Sequence, residues 1–344
     1  MVKTLRDHFP IIRDREEVLA DIYSKEELLD WFESWEEEEQ ELFLDYCTGM
    51  RGVKILYDQY FKLVINPRIK PERLEKLLTQ ILGQKVTIIE ILPNESTRIA
   101  AEKSLLVLDV VVKLEDGSIA NVEVQRIGYA FPGQRSACYS ADLLLRQYKE
   151  LKKLKKKKFR YSDIKKVYTI VFFLQSTSEF HKYENEYVHH FRQKSDTGIE
   201  IELLQEYIFV SLDNFRKCLH NESVDIENEF EAWLTFLSED DPEWILKLVE
   251  LHPDFVELYK EVYEACRNTE AMMGLFSEEL FELDKNTVEY MLEEQKKELE
   301  EKKGEIEEQK KELEEKKGEI EEKNKEIEEK DAIIASLKEQ LGMK

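Results

Sequence analysis

The chain has 344 residues, of which 42% are hydrophobic and 37% are charged, and its formal net charge is −24. This length allows about two domains with a substantial core, and the charge excludes a nucleic-acid-binding protein that is basic throughout. Since the sequence contains no run of about 18 apolar residues and no apolar segment near Met1, we expect neither a membrane span nor a secretory signal. The four cysteines (Cys47, Cys138, Cys218 and Cys266) form no CxxC pair, so we expect free thiols and a cytoplasmic location.

Residues 1–50 predict a helical N-terminal segment, and residues 51–215 combine helix and strand patterns. Within this central region the predicted elements are a helix (71–82), strands (86–92, 104–114 and 119–126), a helix (134–150), a lysine-rich loop and a strand (167–175). Proline at 71 and glycine at 83 mark the start and end of the first of these helices. The order helix, three strands, helix, strand predicts an α/β fold with a mixed sheet flanked by helices.

Residues 216–291 return to helical patterns, for example in EAWLTFL and EWILKLVEL. In the C-terminal segment 292–344, the sequence EEQKKELEEKKGEI at 293–306 recurs unchanged at 307–320, and apolar residues occupy every seventh position. This heptad predicts a long helix with one apolar stripe. The other core position holds mostly Gln and Lys, so the segment is expected to be a weak coiled coil or, alternatively, a solvated single helix.

An acidic residue, Asp109, lies in the middle of the strand SLLVLDVVVKL, which is otherwise apolar on both faces. Such a strand is typically central and covered, and a carboxylate there is costly unless something pairs with it. One possible partner is a divalent metal. The other is a basic side chain such as that of Arg135.

The next strand, IANVEVQR, carries its polar residues on one face, with Glu123 at the centre. A three-residue turn with Gly117 in a left-handed conformation would place Asp109 opposite Glu123, whereas a two-residue Asp116-Gly117 turn would place them on different faces. The sequence favours neither turn. In the first arrangement the two Cβ atoms lie about 5 Å apart, and the carboxylates could share a Mg²⁺ ion completed by water and a substrate phosphate.

Several features of the central region occur together: the order of its elements, Asp109 followed by Glu123-Val124-Gln125, the segment YDQYFK, and Arg135 with Tyr139 on the following helix. In this combination residues 53–292 resemble the PD-(D/E)xK nuclease superfamily, and more narrowly its recombination-promoting nuclease/transposase group (Rpn type). The resemblance implies a restriction-endonuclease-like core. It also implies a Mg²⁺-dependent (or Mn²⁺-dependent) DNA endonuclease linked to mobile elements.

The resemblance also implies roles for single residues. Asp109 and Glu123 would bind the metal, and the Val124 carbonyl would add a ligand. Gln125 stands where the superfamily has lysine; it can hydrogen-bond to water or phosphate but carries no charge and cannot act as a base. Glu75, on the first helix, is where some members place a further acid, and its alternative role is that of an exposed helix charge.

Basic residues after the strands are candidates for contacts with DNA. Arg135 and Tyr139 share a helix face and would hold a phosphate or order Glu123, or else they form an ordinary packed pair. A basic block is predicted either to contact backbone phosphates or to be a solvated loop; it comprises Lys152, Lys153, Lys155, Lys156, Lys157, Lys158 and Arg160. Phe159 and Tyr161 within it would stack on bases or anchor the chain.

With the resemblance, these patterns imply a metal-dependent DNA endonuclease that hydrolyses phosphodiester bonds with a metal-activated water. The coil over 292–344 would join protomers, so that two sites act on two strands. The alternative is a catalytically weak or inactive DNA-binding scaffold oligomerised by the coil, which Gln125 and the net charge of −24 favour.

Overall fold

A computed structural model describes residues 4–56, 58–92, 106–127 and 132–277, together with Lys316 and Lys330. The chain divides into two compact units, Met1–Leu280 and Phe281–Lys344. Only Lys316 and Lys330 of the second unit are described, so the coiled coil predicted over 292–344 lies outside the described residues. The sheet and the helices that surround it belong to the first unit.

Helices form the N-terminal part of the first unit, as the sequence predicts: α1 (Leu5–His8), α2 (Arg15–Tyr23), α3 (Glu26–Glu33), α4 (Glu37–Thr48), α5 (Asp58–Val64) and α6 (Pro71–Leu82). Local signals set their ends. The Asp14 side chain accepts a hydrogen bond from the Glu17 backbone N–H at 2.8 Å and caps α2. Gly83, at φ 63°, ends α6 in the left-handed conformation that glycine adopts without strain.

The described residues contain one mixed sheet of six strands. They are β1 (Ile88–Leu92), β2 (Leu106–Leu114), β3 (Ile119–Ile127), β4 (Val167–Gln175), β5 (Val188–Phe191) and β6 (Gln205–Ser211), in the order β1-β2-β3-β4-β6-β5. The β1, β2 and β3 strands are antiparallel, β3, β4 and β6 are parallel, and β5 is an antiparallel edge strand. Helix α7 (Pro132–Lys155) connects β3 to β4, so the predicted α/β fold and the order of its central elements are confirmed.

The two faces of the sheet differ in character. One face contributes Val112, Val122 and Ile170 to a continuous apolar core shared with the N-terminal helices and with the helices after the sheet. Those are α9 (Leu212–His220), α10 (Glu229–Ser238), α11 (Pro242–Leu251) and α12 (Phe255–Ala265). The short helix α8 (Ser178–His181) lies between β4 and β5, and its Phe180 packs with Phe173 on the opposite face. The other face is covered by α7, whose Leu143 packs in a small cluster with Val111. The polar residues of β3 lie on this second face.

The turn between β2 and β3 is the three-residue alternative. Gly117 has φ 86°, and its N–H donates to the Leu114 carbonyl at 2.9 Å, while the Leu114 N–H donates to the Ser118 carbonyl at 2.8 Å. The resulting register pairs Asp109 with Glu123. The two-residue turn, which would have separated these residues onto different faces, does not occur here.

Replacing Gly117 with alanine is expected to destabilise the hairpin. The backbone φ of 86° is one that residues with a Cβ rarely adopt, and an added Cβ would lie 3.3 Å from the Lys165 Cγ. We expect Gly117→Ala to lower the free energy of unfolding by about 1–2 kcal/mol in urea denaturation. Gly133→Ala is the matched control, because a Cβ there meets nothing within 4 Å. Equal stability of the two variants would contradict the left-handed turn.

A buried ion pair fastens α6 to α12. The Arg73 side chain is 8% exposed, and its Nη1 and Nη2 donate to the two Glu261 carboxylate oxygens at 2.7 and 2.8 Å. Arg73 Nη1 also donates to the Val64 carbonyl at 3.1 Å, and Lys70 makes a second contact with Glu261. Two parallel hydrogen bonds from one guanidinium fix both the distance and the orientation of the two helices.

None of the helices among the described residues combines the length and the apolar character that crossing a bilayer requires. All four cysteines are free; Cys47, Cys218 and Cys266 are buried, whereas Cys138 is exposed on α7.

Candidate functional site

Two acidic residues on neighbouring strands face each other near the middle of the sheet. The β2–β3 register pairs Asp109 with Glu123, and directly opposed residues of an antiparallel pair belong to the same face. Glu123 is 2% exposed, and its Oε1 accepts a hydrogen bond from Asn121 Nδ2 at 2.6 Å. For Asp109 the structure describes the backbone position and the pairing only.

Buried polar side chains extend from Glu123 across the sheet, and we call this row the polar seam. It consists of Asn121, Glu123 and Gln125 on β3, Thr169 on β4, Ser211 on β6, and Ser136 and Ser140 on α7, all at most 4% exposed. The parallel register places Asn121 beside Thr169 and Gln125 beside Phe173, which in turn lies beside Ser211. The row therefore crosses three adjacent strands beneath α7.

Four atoms of the polar seam have no hydrogen-bond partner among the described residues: Asn121 Oδ1, Gln125 Nε2, Thr169 Oγ1 and Ser211 Oγ. Leaving a buried polar group unsatisfied costs about 1–3 kcal/mol. Such groups are rare in folded proteins, and several of them on one face are typical of a place that binds water, an ion or a substrate.

The oxygen atoms at this place fit a hard divalent cation. Glu123 supplies a buried carboxylate, Asn121 supplies an unpartnered carbonyl oxygen, and Asp109 lies directly opposite Glu123. Within the part of the chain that the structure describes, no group of three or more His, Cys, Asp and Glu side chains could hold an ion. One or two carboxylates with further oxygen ligands and several waters are the kind of donor set with which proteins hold Mg²⁺.

Val124 and Gln125 differ in what they can contribute. The Val124 side chain is buried in the apolar core on the opposite face, so only its backbone is available to the site. Gln125 lies on the polar face, 4% exposed, and its Nε2 donor has no described acceptor. An amide at this position can donate a hydrogen bond to water or to a phosphate oxygen, but it provides no positive charge.

The first turns of α7 bring Arg135 and Tyr139 to the same end of the sheet as Gln125, since only residues 128–131 separate β3 from α7. Arg135 Nη2 donates to Tyr139 Oη at 3.4 Å, and its guanidinium carbon lies 5.7 Å from the centre of the tyrosine ring. Both side chains are half-buried. The predicted shared helix face is therefore observed, with the arginine held against the ring.

Glu75 is not part of this arrangement. Its Oε1 accepts a hydrogen bond from the Ile88 backbone N–H at 2.7 Å, and Ile88 pairs with Leu114. Leu114 is five residues from Asp109 along β2, which corresponds to about 16 Å. Glu75 thus connects α6 to β1, and it is neither an exposed helix charge nor close enough to share an ion with Glu123.

The basic block also lies apart from the carboxylates. Lys152, Lys153 and Lys155 are in the last turn of α7, and Lys156–Lys158 form a 3-10 helix, so the predicted loop is helical. Lysine is a good helix former, which explains why α7 continues into this segment. Seventeen residues of helix separate Arg135 from Lys152, a distance of about 25 Å.

Sequence reasoning missed most of the polar seam. Asn121 alternates with Glu123 along β3, and this alternation was the available signal. Thr169 and Ser211 carried no signal of their own, because their position beside β3 depends on which strands pair. Ser136 and Ser140 are four residues apart on one helix face, but only the packed structure shows that this face meets the polar side of the sheet.

Comparison with known proteins agrees with this fold. The family model of the PD-(D/E)XK nuclease family transposase matches residues 56–293, more than half of the chain. No curated protein matches the chain, and no solved structure does. The matched segment contains the whole sheet, α7 and the polar seam. On this match, the chain belongs to the PD-(D/E)XK nuclease family transposases.

Proposed function

We propose that the protein is a DNA endonuclease that hydrolyses phosphodiester bonds with the help of a divalent cation, Mg²⁺ or Mn²⁺, held between β2 and β3. The observation that carries this proposal is the direct pairing of Asp109 with the buried Glu123. Family membership supports DNA as the substrate. The unpartnered polar atoms beside Glu123 support a site that takes up water, an ion and a phosphate group.

In this proposal Asp109 and Glu123 would hold the cation, and the Asn121 carbonyl oxygen and the Val124 backbone would complete its protein ligands. When bound, the cation would stabilise negative charge on a phosphoryl oxygen and favour ionisation of the attacking water. The hydrogen bond from Asn121 orients the Glu123 carboxylate. Removing a hydrogen bond that orients a metal ligand typically costs about 10–100-fold in metal affinity or activity.

Gln125 and Arg135 act on the substrate in this proposal. Gln125 Nε2 donates a hydrogen bond to the attacking water or to a non-bridging phosphate oxygen. Arg135, held against Tyr139, contacts the phosphate backbone with a charge-assisted hydrogen bond. In this proposal Arg135 supplies a positive charge near the phosphate, and the position of the superfamily lysine carries none.

Plasmid scission tests the proposal. We expect the full chain to convert supercoiled DNA to nicked or linear forms with Mg²⁺ or Mn²⁺ and not with EDTA. Asp109→Ala should lose this conversion, whereas Glu75→Ala, whose side chain is bonded to the Ile88 backbone opposite the far end of β2, should retain it. Scission that persists unchanged in Asp109→Ala would refute the proposed site.

A second candidate function is a DNA-binding scaffold with little or no catalysis, oligomerised by residues 292–344. The observation that favours it is Gln125, which replaces a charged lysine with a neutral amide. The two functions are separated by measuring DNA binding alongside scission. Retained binding without metal-dependent scission in the wild type would select the scaffold.

A further inference from the structure

Three aromatic rings pack together where α7 ends, and we call them the aromatic platform: Tyr148, Phe159 and Tyr161. The Tyr148 and Tyr161 rings are nearly parallel, 10° apart with centroids 6.0 Å apart. Phe159 meets both edge-on, with centroids at 5.5 and 5.4 Å. Tyr161 is 74% exposed, so the platform presents an aromatic ring to solvent.

A turn in the backbone produces this arrangement. Lys156 has φ 48°, a left-handed conformation that is unfavourable for a residue with a side chain. Here α7 gives way to the 3-10 helix Lys156–Lys158, and the chain returns so that Phe159 and Tyr161 contact Tyr148. Lys152 Nζ donates to Tyr148 Oη at 2.7 Å, which holds the tyrosine and lowers its pKa.

The platform is surrounded by positive charge. Residues 149–166 contain ten basic and two acidic side chains, in a chain whose net charge is −24. Lys155 pairs with Asp163 at 2.6 Å, and Lys166 pairs with Glu202 and Glu206. Lys153, Lys157 and Lys158 are exposed and show no ion pair among the described residues.

The structure of α7 alone does not account for this concentration of charge. Cations near a helix C-terminus stabilise its dipole, but the effect is confined to the last turn. The basic residues extend beyond that turn through the 3-10 helix, where they repel one another. A ligand that carries several negative charges would offset this repulsion.

A cleft of about 570 Å³ opens beside the platform and shares Tyr161 with it. Its lining combines two lysines, Lys165 and Lys166, with two acids, Asp116 and Glu202, so the cleft is polar and of mixed charge. The excess of positive charge beside the exposed ring lies on the exposed lysines of the preceding segment. Aromatic rings that offer a stacking surface, combined with a positively charged groove, are the features with which proteins bind single strands.

We propose that the aromatic platform and the lysines around it bind single-stranded DNA, with an unpaired base stacked on Tyr161 and the backbone phosphates contacted by Lys153, Lys157 and Lys158. The choice of DNA over RNA rests on the proposed nuclease function, whereas the binding itself needs no cleavage. Tyr148 is 13 residues from Arg135 along α7, about 20 Å, so this surface is separate from the carboxylates.

Binding of a fluorescein-labelled oligo-dT 20-mer in EDTA, followed by fluorescence anisotropy, tests the proposal without cleavage. We expect Tyr161→Ala to weaken binding about 5-fold or more, and Tyr161→Phe to bind like the wild type, because stacking needs the ring and not the hydroxyl. Tyr183→Ala is the matched control, since Tyr183 is 61% exposed outside the platform.

The lysines are tested by the salt dependence of the same binding. Removing two phosphate contacts with the double variant Lys157→Ala/Lys158→Ala should reduce the slope of log affinity against log salt by about 1.4. Lys217→Ala/Lys260→Ala, which removes two exposed lysines elsewhere, should leave the slope unchanged.

Two results would overturn the inference: wild-type affinity in Tyr161→Ala, or binding of a 20-bp duplex or an oligo-U RNA tighter than that of oligo-dT. Neither depends on scission. Platform-dependent binding in a protein that cuts no DNA would leave the inference standing and refute the nuclease function. Metal-dependent scission by a protein whose binding does not depend on the platform would support the nuclease function and refute the inference.

Discussion

The Glu123→Gln variant is expected to lose Mg²⁺-dependent plasmid scission by about 100- to 1,000-fold, the range observed when one group that stabilises developing charge is removed from an active site. The substitution keeps the size of the side chain and an oxygen that can accept the 2.6 Å hydrogen bond from Asn121. It removes only the negative charge that would hold the cation. Single-turnover rates at saturating protein measure this loss.

The fold of Glu123→Gln should remain intact, which separates a lost site from a lost structure. Gln has the size of Glu and keeps an oxygen that accepts from Asn121, so we expect Glu123→Gln to unfold cooperatively and to have the circular dichroism spectrum of the wild type. Glu115→Gln, at an exposed position of the same hairpin, is the control and should cut DNA like the wild type. A Glu123→Gln protein that cuts at the wild-type rate would remove Glu123 from the mechanism.

The Glu261→Ala variant is expected to have the largest effect on stability. It would leave the Arg73 guanidinium, 8% exposed, without its carboxylate partner and with the Val64 carbonyl as its one remaining acceptor among the described residues. Because Glu261 itself is 25% exposed, we expect a loss of about 3 kcal/mol, the lower end of the range for breaking a buried pair. This corresponds to a decrease of roughly 6–12 °C in melting temperature.

The stability provided by Glu261 should also depend on pH. The hydrogen bonds from Arg73 lower the pKa of Glu261 below its ordinary value of 4.5. A carboxyl group with a lowered pKa in the folded state stabilises the fold above the unfolded-state pKa, and this contribution is lost as pH falls through the folded-state value. The stability difference between wild type and Glu261→Ala should therefore be constant near neutral pH and shrink below about pH 4.5.

Glu257→Ala is the matched control for this comparison, since Glu257 lies on the same helix and is exposed. Its free energy of unfolding should stay within about 0.5 kcal/mol of the wild type. If Glu261→Ala and Glu257→Ala unfold at the same urea concentration, the Arg73–Glu261 pair contributes nothing to stability.

The central elements of the fold followed from patterns that are local in the sequence. The 3.6-residue period and the flanking Pro71 and Gly83 predicted α6, and the apolar runs predicted β2 and β4. The strands β5 and β6 were missed. The β5 strand has only four residues, and its sequence, VHHF, carries no alternation that distinguishes a strand from a loop.

The register of the hairpin could not be obtained from the sequence, because Glu115-Asp116-Gly117 is compatible with two turns of different length. A shift of one residue moves every side chain of a strand to the other face. The choice depends on long-range packing, in which Val112 and Val122 join the main core while Glu123 turns toward α7. The pairing of Asp109 with Glu123 is thus a property of the whole sheet.

The residues of the proposed site also divide into those that the sequence could indicate and those that it could not. Asp109 was recognisable because a carboxylate inside an apolar strand is costly, and Glu123 was recognisable because the polar residues of its strand alternate onto one face. Arg135 and Tyr139 followed from helical spacing. By contrast, the hydrogen bond between Glu75 and the Ile88 backbone could not be predicted, because it depends on how α6 packs against β1. The predicted lysine-rich loop is the helical end of α7. The sequence could not indicate this helix, because the run of lysines has no helical period.

The most direct test of a cation shared by Asp109 and Glu123 is a Mn²⁺ titration of the full chain, followed by electron paramagnetic resonance in the absence of DNA. We predict that the wild type binds one Mn²⁺ ion at this place, and that Asp109→Asn and Glu123→Gln each weaken that same site. Wild-type Mn²⁺ affinity in either single variant, or two sites of which each variant loses a different one, would contradict a shared ion.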